Sequence, residues 1–428
     1  VIDPRIKKAF IKLCRSFLTA CVVPFLFTGC FVDFQTGASS PQDGAVDGAA
    51  DGSNPTPDGT ADGSNPTPDG TTPPDGVAWP DGASTDALPS DGAPTCTEGR
   101  LRCNANGTAD YCENNAWYPL GHCFFMCSGF QQKCTTVSNV AYETLNVNEG
   151  SLNNAAWTAD EITIHTATGL IYDEQHSETI RPAGANSVQN GIGFYTVTQG
   201  VHQPTLGVFV FSNLEIASNV TVRAQGTNAL VILSLNDVVL NGVLDGGAQG
   251  QASGPGGFAG GDPYNGGTGP GGGLPGEAEQ SQCTYLCASG GGGGSYGGTG
   301  GSGGAVNCGA VDLPSGVGGS SYGNQTLVPL VGGSGGAGGM SITSHQDANP
   351  GAGGGGGGAV QISARSSLTI GPDGGITVPG GGGGPTTSGS GSGGGAGGAI
   401  LLESPTIDIQ SGAFVAANGG GGGGGDCS

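Results

Sequence analysis

Glycine runs that alternate with short apolar runs constrain this chain more than any other feature of it. The pattern occupies residues 208–428, with runs of glycine such as 380–384 and 419–425. Glycine has no side chain to bury, so the apolar runs must supply whatever core this half possesses. The segment AVQISARSSLTIGPDGGITV (359–378) carries three apolar pairs, Val360/Ile362, Leu368/Ile370 and Ile376/Val378. AILLESPTIDIQSGAFV (399–415) repeats the arrangement with Ile400/Leu402, Ile407/Ile409 and Ala413/Val415. Alternate residues of a strand share a face, so each pair marks one strand with a buried side. Upstream, VFVF (208–211), LEI (214–216) and VTV (220–222) form one such triple, and LVIL (230–233), VVL (238–240) and Val243-Leu244 form another.

Units of about 20 residues with three inward-facing pairs predict an all-β fold built as a parallel β-helix-like solenoid, in which neighbouring units bury one another. A sandwich would need longer strands joined by tight hairpins. ITIHT (162–166) and GFYTVT (193–198) predict two further strands at the entry to this domain. The glycine tracts, including those of a long insertion over 246–358, fit two conformations. They are either flexible loops extruded from one face, or close-packed strands of the polyproline II type, which glycine permits because backbones can approach. Glycine does not recur at every third position, which excludes collagen.

The upstream sequence divides into three parts. Residues 1–29 read as an export signal, with Arg5, Lys7, Lys8, Lys12 and Arg15 ahead of an apolar run at 17–27 that is too short to span a bilayer. Residues 30–95 read as an acidic, Asp-Gly- and Pro-rich disordered linker: eleven aspartates, no basic residue, and DGSNPTPDGT at 51–60 repeated at 62–71. Such a segment buries too little surface to offset its ordering entropy. Residues 96–135 hold Cys96, Cys103, Cys112, Cys123, Cys127 and Cys134. A module of this length has no adequate core, so disulfides are the expected staple, with connectivity open. Zinc is the rival reading, but paired C-x-x-C spacing is absent and His122 is the module's one histidine. Residues 136–428 form the glycine-rich domain, where Cys283, Cys287, Cys308 and Cys427 are further disulfide candidates. Even cysteine groups fit an oxidising compartment.

Formal charge is −23, and after position 29 the basic residues are Arg100, Arg102, Lys133, Arg181, Arg223 and Arg365 alone. That balance argues against nucleic acid as a partner. No cofactor is expected. Calcium held by the linker's Asp-Gly turns is the weaker alternative to a plain spacer, because the aspartates stand singly rather than as D-x-D-x-D-G.

The sequence Phe27-Thr28-Gly29-Cys30 resembles the lipobox of bacterial lipoproteins, departing from it at Phe27, where the family usually has Leu, Val or Ile. The resemblance implies lipidation of Cys30 and a membrane partner through that anchor, at the outer membrane or cell surface, with secretion as the alternative. The six-cysteine spacing and the order of strands and glycine tracts over 160–428 resemble glycine-rich surface lipoproteins of myxobacteria-like bacteria. That resemblance implies an architecture and carries no activity with it.

Chemical motifs are sparse. Ser302 and Ser334 each satisfy G-x-S-x-G but lack the strand–turn–helix context of a nucleophile elbow. Asp173, Glu174, His176 and Glu178 form a cluster without a second histidine at ligand spacing, which reads as a solvated loop. Asp237, Asp245, Glu403 and Asp408, with Arg223 or Arg365 as base, are the acids a polysaccharide-cleaving lyase or hydrolase would draw on. They sit singly at alternate, outward positions. Trp117 and Tyr118 are candidates for sugar contact, and Trp117 for packing on a disulfide. The expectation is a non-catalytic structural or adhesive surface protein that binds extracellular polysaccharide or matrix. The alternative is a β-helix enzyme that cleaves polysaccharide.

Overall fold

The computed structural model describes residues 96–98, 100–104, 108–128, 133–278, 288–307, 312–341, 349–387 and 389–425. The described residues are almost entirely strand and extended chain. Two short 3-10 turns, Tyr142–Leu145 and Glu149–Ser151, are the helical elements.

The cysteine-rich segment holds β1 (Leu101–Cys103), β2 (Thr108–Glu113), β3 (Ala116–His122), β4 (Met126–Ser128) and β5 (Lys133–Thr135). An antiparallel sheet joins β1, β2 and β3, and a hairpin joins β4 to β5. Next come β6 (Asn154–Trp157), β7 (Glu161–His165), β8 (Ile171–Asp173), β9 (Glu178–Arg181), β10 (Ser187–Gln189) and β11 (Ile192–Val197). One unit then supplies β12 (Leu206–Phe211), β13 (Asn213–Ile216) and β14 (Thr221–Gln225), and the next supplies β15 (Ala229–Ser234), β16 (Asp237–Leu240) and β17 (Val243–Asp245). The glycine-rich excursion contains a small hairpin, β18 (Val306–Asn307) with β19 (Asp312–Leu313). Two last units follow: β20 (Ala359–Ala364), β21 (Ser367–Ile370) and β22 (Gly375–Thr377), then β23 (Ala399–Glu403), β24 (Thr406–Ile409) and β25 (Phe414–Ala416).

Each of these four units places one strand in each of three sheets. The orders are β10-β11-β12-β15-β20-β23, β24-β21-β16-β13-β6 and β25-β22-β17-β14-β7-β8-β9. Successive units pair in parallel and in register: Leu214 lies against Val238, Val238 against Leu368, and Leu368 against Ile407. The sheets are mixed, because β8, β9, β10 and β11 attach as antiparallel hairpins at one end.

The apolar pairs explain this arrangement. Ile162, Ile164, Val222, Leu244 and Ile376 from one sheet meet Leu214, Ile216, Val238, Leu240, Leu368 and Ile370 from the second. Phe209, Phe211, Leu230, Ile232, Val360 and Ile362 close the core from the third. Strands β13, β14, β16 and β21 alternate buried with partly exposed residues, as one-sided burial requires. In contrast, β12, β15 and β20 are buried at every position. The runs VFVF of β12 and LVIL of β15 are continuously apolar because this sheet is covered on both faces. Its outer face packs under Phe124, Val137, Val140, Tyr142, Leu152 and Leu330. Arg365 bolts that cover down. It donates to the Phe124 carbonyl at 2.7 Å and to Glu149 Oε1 at 2.8 Å, and Glu149 also accepts from the buried Tyr142 hydroxyl.

The glycine tracts pack against one another. In the run 351–358, Gly353 and Gly356 donate to Gly261 and Phe258, Gly354 and Gly357 donate to Gly393 and Ala396, and Gly355 and Gly358 donate to Gly250 and Gly246. Every third residue therefore faces the same neighbour, and three neighbours are served in rotation. A step of three also governs the run 332–339, where Gly333, Gly336 and Gly339 donate to Gly357, Gly354 and Gly351. Three residues per turn with no bonds inside the strand is the geometry of polyproline II, here with its backbone groups paired between strands. All of residues 331–339 and 353–360 are buried. Of the two conformations the sequence allowed, the runs adopt the close-packed one.

Candidate binding surface

Among the described residues the most exposed aromatic side chain, Tyr118, lies on the β2–β3 hairpin. Asn114 and Asn115 both take positive φ, 51° and 61°, as a two-residue hairpin turn requires. That turn sets the register Cys112↔Trp117 and Tyr111↔Tyr118. Directly opposed residues of an antiparallel pair share a face, so the two tyrosines stand side by side. Tyr111 is 36% and Tyr118 49% exposed. On the opposite face of the sheet, where strand alternation places Arg102, Asp110 and Trp117, the Arg102 guanidinium lies 4.7 Å from the Trp117 ring centroid, and its Nε donates to Asp110 at 2.7 Å. Cys112 is bonded to Cys96 with Cα atoms 5.9 Å apart, which ties the hairpin to the chain entering the module. The result is a pair of aromatic faces on a stapled support. Sequence reasoning singled out Tyr118 and missed Tyr111, and the Asn-Asn turn is the signal that would have paired them.

The candidate catalytic acids do not converge. Asp237 accepts from Ser367 Oγ at 2.7 Å, and Asp245 is paired with Arg223 at 3.3 Å and accepts from the Gly247 amide at 2.8 Å. Asp408 accepts from Gln410 at 3.1 Å. Glu403 is held between sheet and cover: it accepts from Gln361 Nε2 at 2.9 Å, Ser363 Oγ at 2.8 Å and the Ser138 amide at 3.2 Å. Two of the residues thought to face solvent, Glu403 and Arg365, fasten residues 124–149 to the six-stranded sheet. Strand alternation places them outward, but the cover comes from distant sequence. Ser334 is fully buried, donates to the Tyr322 hydroxyl and accepts from the Gly271 amide; Ser302 is exposed on a glycine run.

The acidic cluster at 173–178 resolves into a pair. His176 Nδ1 lies 2.8 Å from Asp173 Oδ2, and the His176 amide donates to Asp173 Oδ1 at 2.9 Å. The His176 amide and ring hold Asp173 below the usual carboxylate range, and the Asp173 carboxylate holds His176 above the ordinary imidazole value. The pair's contribution is lost as pH falls through the lowered Asp173 value and as pH rises through the raised His176 value. The ring is solvent-facing, so that contribution is small. Glu174 turns away to accept from Thr163. A cleft of about 380 Å³ beside this pair is floored by Trp157, Ile162 and Ile192. Among the described residues no three His, Cys, Asp or Glu side chains converge as metal ligands would. A wider groove of about 640 Å³ between glycine runs is lined by backbone and by Ser302, Ser390 and Ser392.

Cys103 and Cys123 are also disulfide-bonded. Cys127 and Cys134 are register partners across the β4–β5 hairpin. The anchor candidate Cys30, the candidates Cys283, Cys287, Cys308 and Cys427, and the segments 1–29 and 30–95 lie outside the described residues. Among the described residues no helix is long and apolar enough to cross a membrane. No protein-family model, curated protein or solved structure matches the chain.

Proposed function

We propose that this chain is an exported cell-surface protein, lipid-anchored at Cys30, whose folded part binds an extracellular polysaccharide or matrix glycan without cleaving it. The observation that carries the reading is the exposed Tyr111–Tyr118 pair on a disulfide-tied hairpin. An aromatic ring offers an apolar face with a polar tip, which suits a sugar ring's C–H face and hydroxyls together. Under this reading the three stacked sheets form a parallel β-helix-like solenoid with glycine insertions. The parallel, in-register pairing of β12, β15, β20 and β23, and of their counterparts in the other two sheets, supports that assignment. A non-catalytic role is supported by the separate engagement of Asp237, Asp245, Glu403 and Asp408. Export and anchoring are supported by the basic and apolar stretch before Phe27-Thr28-Gly29-Cys30.

The test is a binding assay on insoluble glucan and chitin, with and without calcium, that also reads new reducing and unsaturated ends. The expected result is retention without new ends, weakened at least about tenfold, or about 1.4 kcal/mol, by Tyr118→Ala and by Tyr111→Ala. Retention that survives both substitutions would remove the hairpin from the account. New chain ends would establish the polysaccharide-cleaving alternative instead.

A further inference from the structure

The two ends of the sheet stack differ. At one end β8–β9 and β10–β11 fold over as antiparallel hairpins and cover the edges of two sheets. At the other, β23, β24 and β25 are the outermost strands of all three sheets. Their apolar residues are open: Ile407 is 42%, Ile409 47%, Phe414 41% and Val415 38% exposed. The equivalents of Ile407, Ile409 and Val415 one unit earlier, Leu368, Ile370 and Ile376, are fully buried, because β24 and β25 lie on them. What covers such a surface is therefore visible inside the chain: another unit of the same kind.

Among the described residues no strand pairs with the outer edges of β23, β24 and β25. Alternate residues of a strand turn both backbone groups to the same side. Gln410 donates to the Ile370 carbonyl, so Ile407 and Ile409 turn theirs away from β21. Natural edges are usually blunted by lysine, proline or a bulge. The strands AILLE, TIDI and FVA contain no lysine, arginine or proline, and each pairs in continuous register with the unit before it. Asp408 is the exposed charge, and it points to the outer face rather than into the stack.

We infer that two copies of this chain associate head to head through β23, β24 and β25, about a two-fold axis crossing the stack. Rotation by half a turn about an in-plane axis reverses strand direction, so all three contacts become antiparallel ladders, and β23 of one copy meets β25 of the other. The surface is self-complementary, as a two-fold interface requires. The axis passes through Ile407, which sets Ile407 opposite its own copy and Asp408 opposite Thr406. Centring it on Asp408 would oppose two carboxylates, which is unfavourable.

Sedimentation equilibrium on the purified full chain tests this. The expected result is a monomer–dimer equilibrium with a dissociation constant of about 10 μM or tighter, as suits a specific interface. Ile407→Lys and Val415→Lys should each weaken it at least about tenfold while leaving the far-ultraviolet circular dichroism unchanged. Val317→Lys, at an exposed apolar site elsewhere, should leave it unaltered. Under oxidation, Ile407→Cys should give a covalent dimer through the new thiol, identified by peptide mapping. A chain that sediments as a monomer at about 100 μM would overturn the inference, given the affinity this interface class delivers. So would a dimer indifferent to both lysine variants, or open-ended growth beyond two copies.

Discussion

Alanine at Gly395 should strongly destabilise the glycine-rich half of this protein, whereas alanine at Gly421 should leave its stability unchanged. A β-carbon at Gly395 would sit against the backbone carbonyl groups of Gly355 and Gly354 in the neighbouring run. No side-chain rotation relieves that contact, because every atom met is main chain. Runs 391–398 and 351–358 must therefore part, and the bonds from Gly354 to Gly393 and from Gly357 to Ala396 go with them. Overpacking alone costs about 1–3 kcal/mol, and each lost bond adds about 1. The expected loss is at least about 3 kcal/mol in denaturant unfolding, a large part of any domain's stability. At Gly421 a β-carbon meets nothing within 4 Å, so Gly421→Ala should stay within about 0.5 kcal/mol. Equal effects at the two positions would mean that the runs are not packed as described.

The second large effect falls on Arg181. Its side chain is fully buried, and its five donors reach five backbone carbonyls, those of Ile192, Gly169, Pro182, Gly184 and Ser187, at 2.8–3.0 Å. The guanidinium also lies 5.3 Å from the Phe194 ring centroid. Burial pulls its pKa down to about 10, so it stays charged at neutral pH. One residue thus gathers the β7–β8 turn, the β9–β10 loop and the starts of β10 and β11. Arg181→Met would strand several buried acceptors, and the expected cost is about 3–5 kcal/mol by denaturant unfolding. Arg181→Lys should recover little, since a three-donor point charge cannot span carbonyls arranged around a planar fork. A change below about 0.5 kcal/mol for the methionine variant would contradict this role.

Strand positions were largely legible from the sequence. The pairs Leu368/Ile370 and Ile407/Ile409 announce one-sided strands, and β21 and β24 form at those sites in parallel register. The double-sided burial of β12 and β15 is also visible in hindsight, as unbroken apolar runs. What the sequence could not choose was the state of the glycine runs. Glycine has no side-chain period to read, and the step of three emerges only when each amide's acceptor on another run is known. Arg181 gave no warning either, because ETIR reads as a half-exposed strand and its acceptors come from two separate loops and from the first residues of β10 and β11. Glu403 and Arg365 read as solvated for the same reason: local alternation cannot know that residues 124–149 lie over them. The Tyr111–Tyr118 platform needed only the recognition that Asn114-Asn115 closes a two-residue turn.

Amide hydrogen exchange over the glycine runs addresses the central claim most directly. If 332–339, 351–358 and 391–398 are hydrogen-bonded to one another in a buried bundle, their amides open only with the core and should be protected as strongly as those of β12 and β15. The exposed face of 419–425 should exchange faster than the buried runs. Exchange across all these runs at the rate of an unstructured peptide would show that they are loops, and would contradict the account.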